Sequence, residues 1–340
     1  MNAPVKAARL RLPRPLLLLG LLGLALLVAP AFVGSYALSV LILILYSAYT
    51  GQAWNIMMGF AGQLSLGHAL YVGVGAYAAA ALFVHYGIGP WAGMWAAMLA
   101  AMLAGGLIGY LAFRFGISGV YFALLTIAFA EFTRIGFDHI TWIGGSAGYF
   151  LPVKQRVSSD LLDLRGAPAM FYYVMLALAA LAMAVCKALL SSRTGYYWLA
   201  IREDPEAAQA LGINTFRYKM IAVVISAAMT SLAGVFFAFY YNNLFPEQVF
   251  NIGRSIEIIL GPIFGGLGTL FGPIAGAIVL TLLGETLRSA TSALGWEVPG
   301  LELLIYGACL LLVVMFLPNG IWPPVSRWLG IKSRHLKGGE

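Results

Sequence analysis

Charge is scarce in this chain. Only 10% of its 340 residues are Asp, Glu, Lys or Arg, against about 25% in ordinary soluble domains. With 61% hydrophobic residues and a mean hydropathy of +0.88, a water-soluble fold would lack the polar surface to cover itself. Cysteine is nearly missing. Cys186 and Cys309 both sit inside apolar runs, which argues against a disulfide, and two residues make no metal cluster. No G-x-x-x-x-G-K-S/T loop occurs, so the chain has no phosphate cradle of that kind for ATP. H-E-x-x-H is missing too, as is a G-x-S-x-G elbow with a plausible partner set. No catalytic constellation and no cofactor site emerge. The ten-residue alternation of a membrane β-barrel is also lacking.

What fills the chain instead is long apolar runs rich in Leu, Ala, Ile and Gly. A helix crossing about 30 Å of hydrocarbon needs roughly 20 residues. On that measure the chain reads as an all-α polytopic membrane protein of about ten transmembrane helices. The expected spans are 15–33, 36–58, 68–85, 91–113, 117–137, 169–190, 218–241, 255–271, 273–291 and 300–317. All belong to one membrane domain over 1–340. Gly and Pro interrupt 255–291, so that stretch is either two spans or one span with a re-entrant segment. Lys6, Arg9, Arg11 and Arg14 precede the first run in the manner of a signal peptide. The run continues past Pro30, and an uncleaved first helix is the reading preferred.

The net charge of +7 gives no reason to invoke nucleic acid, because the basic residues lie mainly between and beyond the apolar runs. With the N-terminus in the cytoplasm, 14 of the 20 Lys and Arg residues fall on the inner side. That bias obeys the positive-inside rule and puts both termini and the 192–217 loop in the cytoplasm. The longest outer segment, about 141–168, is expected to carry a short surface helix at 159–164.

The 192–217 loop is a polar island between apolar runs. Asp204-Pro205 reads as an N-cap followed by proline in the first helical position. Glu206 favours the dipole of the first turn, and Gly212 suits a C-cap. A short helix outside the membrane follows, with Ala207, Ala208 and Leu211 as its small apolar face. Such a ridge suits docking into a groove on a soluble protein; a linker lying on the lipid surface is the alternative.

Two glycine-rich segments break the apolar runs. The first carries Gly59, Gly62, Gln63, Ser65, Gly67 and His68; the second carries Gly265, Gly266 and Gly268. Irregular backbone at membrane depth survives only when buried in protein or lining a wet cavity, and broken helices serve transport in several folds. A tight packed hairpin fits the first segment; the expectation is that both segments line the translocation pathway. His68 is expected to be packed or hydrogen-bonded rather than to relay protons. Glu131 with Arg134, and Glu285 with Arg288, sit three apart near outer span ends. They read as interfacial pairs, or as a charged rim for an amino-acid zwitterion or a delivery protein. Glu257 and Glu302 look isolated. Trp54, Trp91, Trp142, Trp198 and Trp322 read as interfacial aromatics.

Three motifs in order carry a resemblance. Glu206-Ala207-Ala208-x-x-x-Gly212 is similar to the EAA-x-x-x-G coupling loop of bacterial ABC importer permeases. With Arg202-Glu203-Asp204-Pro205 before it, and with Gly59-Phe60-Ala61-Gly62-Gln63-Leu64-Ser65-Leu66-Gly67-His68 and Gly265-Gly266-Leu267-Gly268 elsewhere, the chain resembles the branched-chain amino-acid permease family of the LivM/LivH type. It resembles the LivM-like member more than its partner. The resemblance covers roughly residues 35–317. It implies a bacterial inner-membrane permease subunit coupled through Asp204, Glu206, Ala207, Ala208, Leu211 and Gly212 to two ABC ATPase subunits. A homologous permease subunit, a periplasmic substrate-binding protein and membrane lipid would be its other partners. Branched-chain or related hydrophobic amino acids are the implied substrates. Urea or short amides, or a self-sufficient secondary transporter, are the alternatives.

Overall fold

The computed structural model describes residues 14–152, 160–293 and 319–328, with isolated positions between 304 and 317. Its elements are helices α1 (Arg14–Phe32), α2 (Ser35–Asn55, continued by a π-helical turn at Ile56–Phe60), α3 (His68–Tyr86), α4 (Pro90–Arg114), α5 (Val120–His139) and α6 (Pro168–Ser191). They continue as α7 (Arg193–Glu203), α8 (Pro205–Ala210), α9 (Thr215–Tyr241), α10 (Pro246–Val249), α11 (Ile252–Gly265), α12 (Gly272–Ala293) and α13 (Trp322–Trp328). Among the described residues, seven helices are long and apolar enough to cross a membrane: Ser35–Phe60, α3, α4, α5, α6, α9 and α12.

Among the described residues these seven helices match seven of the ten expected spans. The stretch 255–271 forms only the 14-residue α11, about 21 Å long and short of the roughly 30 Å hydrocarbon layer. Most of 300–317 lies outside the described residues.

Close backbone approach organises the bundle. His68 meets Ser226, Gly75 meets the backbone of Ser231, Gly234 meets that of Val72 and Ala76, and Phe83 meets Phe239. These contacts advance together along both chains, so α3 and α9 run parallel. Small residues let backbones close where lipid supplies no hydrophobic drive between helices. Gly105 and Gly109 seat α4 antiparallel to α9, against Ala227 and Met220. From residue 48 onward α2 is buried on nearly every side, which keeps Thr50, Gln52 and Asn55 away from lipid. Tyr49 Oη donates to the Met229 carbonyl at 2.7 Å, and Gly51 packs on Pro262 and Pro273.

Outward-facing side chains tell the same story. Leu99, Leu103 and Leu107 form an exposed stripe at four-residue spacing on α4. On a soluble monomer such a stripe would be an aggregation patch; in lipid it is the surface required.

Two loop details differ from expectation. Residues 160–165 form a turn closed by backbone pairing of Asp160 with Arg165. Asp160 Oδ1 accepts the Leu162 N–H at 2.9 Å, a local bond that competes with helix formation. Tyr149–Phe150 pairs antiparallel with Asn243–Leu244, tying this long loop to the end of α9.

Candidate functional site

The polar island folds as a string of capped helices. Ser192 caps α7 by accepting from the Gly195 N–H, and Asn214 caps α9 by accepting from the Arg217 N–H at 2.9 Å. Between them, Asp204 Oδ1 accepts from both Glu206 N and Ala207 N, at 2.9 and 3.0 Å. At the other end of α8, the Gly212 N–H donates to Gln209 O and the Ile213 N–H to Ala208 O. This pair of bonds is a Schellman closure. Gly212 has φ +85° with open space around it, so glycine is needed there for backbone conformation and not for room.

The apolar face of α8 is divided. Ala208 is only 2% exposed and turns into the protein, while Leu211 stands 82% exposed beside exposed Glu206 and Ala207. Replacing Asp204 with alanine should cost about 1 kcal/mol of α8 stability. Hydrogen exchange should then speed up for the amides of residues 206–211 while those of α9 keep their protection.

Arg202, the next-to-last residue of α7, ties this string into the bundle. Its Nη1 donates to the Gly59 carbonyl at 2.6 Å, and Nη2 pairs with Glu203 at 2.8 Å. Gly62 lies flat against the Arg202 backbone and stem with φ +71°. A side chain at position 62 would be strained in conformation and would collide with Arg202 as well.

The second glycine segment closes on the same spot. The Gly268 N–H donates to Asn55 Oδ1 at 2.9 Å, Asn55 Nδ2 donates to Thr269 O at 3.0 Å, and Gln52 Nε2 donates to Leu270 O. Gly265 packs on the backbone of Gly272 and Gly276, and Gly266 sits beside Asn319 and Pro323. The two segments, about 200 residues apart, thus meet in one knot under Arg202.

The remaining residues of the first segment are buried and internally satisfied. Gln63 Nε2 donates to Ala61 O at 2.9 Å, closing its own turn. Ser226 donates its hydroxyl to Ala53 O at 2.7 Å, so its oxygen is left to accept from His68 Nε2 at 2.9 Å. His68 Nδ1 lies 3.1 Å from Ser65 Oγ, so the ring is locked between two hydroxyls. Gly67 lies against the Thr126 carbonyl of α5. Ser226 is roughly three turns into α9, so α3 begins well inside the bundle, and the 61–67 segment dips out and returns. In this conformation these residues form packing, and none borders the cavity at the far end of α2.

Some important residues escaped the sequence reading. Asn55 and Gln52 are polar groups one helical turn apart in an apolar run, which is the signal that betrays them. Trp54 and Trp198 are fully buried and not interfacial: Trp54 Nε1 donates to Ser65 O, and Trp198 Nε1 donates to Tyr218 O. Glu257 is paired with Arg254 at 3.2 Å and is not isolated; Glu302 lies outside the described residues. Glu131 does pair with Arg134, which also reaches Asp138 at 2.9 Å.

The arrangement is that of a multi-pass helical membrane protein with an exposed, capped helix tied to the bundle through Arg202. A family profile described as "Branched-chain amino acid transport system / permease component" matches residues 36–314, and the chain belongs to that family. The LivM permease protein of the high-affinity branched-chain amino acid transport system of Escherichia coli K12 is 30% identical over 309 residues, covering 85% of this chain and 70% of that protein. Its LivH counterpart from the same strain is 32% identical over 130 residues, 38% of this chain and 40% of LivH. A fructose import permease protein, FrcC of Rhizobium meliloti, is 28% identical over 147 residues, 42% of this chain and 41% of FrcC. No solved structure matches the chain.

Proposed function

We propose that this chain is the LivM-like permease subunit of an ATP-driven importer for branched-chain amino acids. It sits in a bacterial inner membrane with α8 and both termini in the cytoplasm. Beside it stands a homologous permease, below it two ABC ATPase subunits, and outside it a periplasmic binding protein that delivers substrate. The single observation that carries this reading is the capped helix α8, which presents exposed Leu211 while its neighbour Arg202 grips the carbonyl of Gly59. Asp204, Glu206, Ala207, Leu211 and Gly212 supply the surface and shape that dock into an ATPase groove; Ala208 anchors α8 to its own protein.

Coupling then has a physical route. ATPase closure displaces α8, and the short Asp204 joint passes that motion to α7. Arg202 passes it to the π-turn of α2 and to the Gly266–Gly268 turn. Broken helices with glycine joints move as separate rods, so α2, α11 and α12 shift against the parallel α3–α9 pair. π-Helical turns are frequent at working sites of this kind.

The test is co-purification in mild detergent. Wild type should retain its ATPase, Leu211→Glu should lose it, and Leu211→Met should keep it. Equal retention by all three would remove α8 from the docking site. An uptake panel of leucine, valine, fructose and urea, run with ATP in proteoliposomes, decides the substrate class. Leucine and valine uptake is the expected result. Uptake sustained without ATP would point to a secondary transporter.

A further inference from the structure

Far from α8, the first half of α2, the last two turns of α9 and the residues Arg254, Glu285 and Arg288 of α11 and α12 line an open cavity of about 260 Å³. Ile42, Phe236 and Phe237 supply apolar wall. Two ion pairs stand at this cavity. Arg254 bonds Glu257 at 3.2 Å and lies over the Phe237 ring, 4.9 Å from its centroid. Glu285 accepts from Tyr36 Oη at 2.7 Å and lies 3.7 Å from Arg288.

Each pair has a half-buried and an exposed member. Arg254 and Glu285, which line the cavity, are 24% and 19% exposed, whereas Glu257 and Arg288 are 68% and 70% exposed. One shielded cation and one shielded anion thus border the same space. Tyr46 also lines it and is 7% exposed, yet its phenol oxygen has no hydrogen-bond partner among the described residues. A buried hydroxyl left unpaired is costly, and a ligand acceptor entering the cavity would relieve that cost.

We infer that this cavity binds a single free amino acid as its zwitterion, with the carboxylate on Arg254 and Tyr46, the ammonium on Glu285, and an apolar side chain against Ile42, Phe236 and Phe237. The inference deepens the importer reading and rests on it for the ligand's identity. The class follows from the lining. Drug-sized ligands occupy pockets of about 300–1,000 Å³, so this space suits one residue and not a peptide. A lipid tail makes no use of paired opposite charges, and neither does a neutral sugar. A zwitterionic lipid headgroup shares the chemistry, so the test must separate it from a free amino acid.

The experiment uses Val40→Cys, on the cavity wall, in the full chain with Cys186 and Cys309 replaced by alanine. Labelling by a small thiol reagent is followed in vesicles made with and without phosphatidylethanolamine. Leucine should slow labelling in both lipids, while leucinamide and 4-methylpentanoate, each lacking one charge, should not. Arg254→Gln and Glu285→Gln should each raise the leucine concentration for half-protection roughly tenfold or more, and Tyr46→Phe severalfold, by loss of one bond each. In the coupled transporter the same variants should raise KM for leucine with kcat little changed. Equal protection by leucinamide, protection that follows phosphatidylethanolamine and ignores leucine, or variants indistinguishable from wild type would each overturn the site. Loss of ATPase binding with leucine protection intact would defeat the importer reading and leave the site standing.

Discussion

Replacing Arg202 with alanine should cut ATP-driven uptake roughly tenfold to a hundredfold, the scale of one lost charge-assisted hydrogen bond read as a rate, while the ATPase stays bound. The reason is geometric. The docking surface proposed on α8 begins after Arg202, and the cap on Asp204 and the Gly212 closure are independent of it. What the substitution removes is the bond to Gly59 O and the stem packed on Gly62. The lever would still be gripped, but its far end would slip. Arg202→Lys should recover part of the uptake, since an ammonium can reach the Gly59 carbonyl but cannot also hold Glu203 through a planar fork. Steady-state uptake and ATPase retention measured on the same preparation make the comparison. Parallel loss of both would mean that Arg202 acts on docking and not on transmission.

Gly234→Leu should have the largest effect on stability. A Cβ at position 234 falls on the Val72 carbonyl and close to Ala76 N, and backbone cannot rotate away as a side chain can. The parallel α3–α9 pair would have to part, for which overpacking costs of about 3 kcal/mol or more are expected. Gly284→Leu on α12 is the matched control, because nothing lies within 4 Å of its added Cβ. Thermal unfolding in detergent should separate the two, with Gly284→Leu close to wild type. Equal melting temperatures would show that α3 and α9 do not meet as described.

Local features were legible in the sequence and long-range ones were not. The limits of α8 follow from Asp204, Pro205 and Gly212, whose effects act within one turn. Most membrane-length helices follow from apolar runs that need no partner to be recognised. The role of Arg202 was hidden because the Gly59 carbonyl it holds lies 143 residues away. Trp54 and Trp198 were misjudged for a related reason. A tryptophan near a span end is interfacial only if no other part of the chain covers it, and here the loop at Ser65 covers Trp54 and the first turn of α9 at Tyr218 covers Trp198. The length of α11 was overestimated because 266–271 is as apolar as a helix but turns at Gly266 and Gly268, both with positive φ. The meeting of the two glycine segments depends on Asn55, a single amide whose partners are backbone groups of another helix pair.

One measurement bears most directly on the central claim that α8 is the cytoplasmic handle of the transporter. Leu211→Cys, in the cysteine-free background, is exposed to a membrane-impermeant thiol reagent in right-side-out and inside-out vesicles. Labelling is expected only in inside-out vesicles, with strong protection there once the ATPase subunits are bound. Labelling from the right-side-out face, or labelling from inside that bound ATPase leaves unchanged, would contradict that claim.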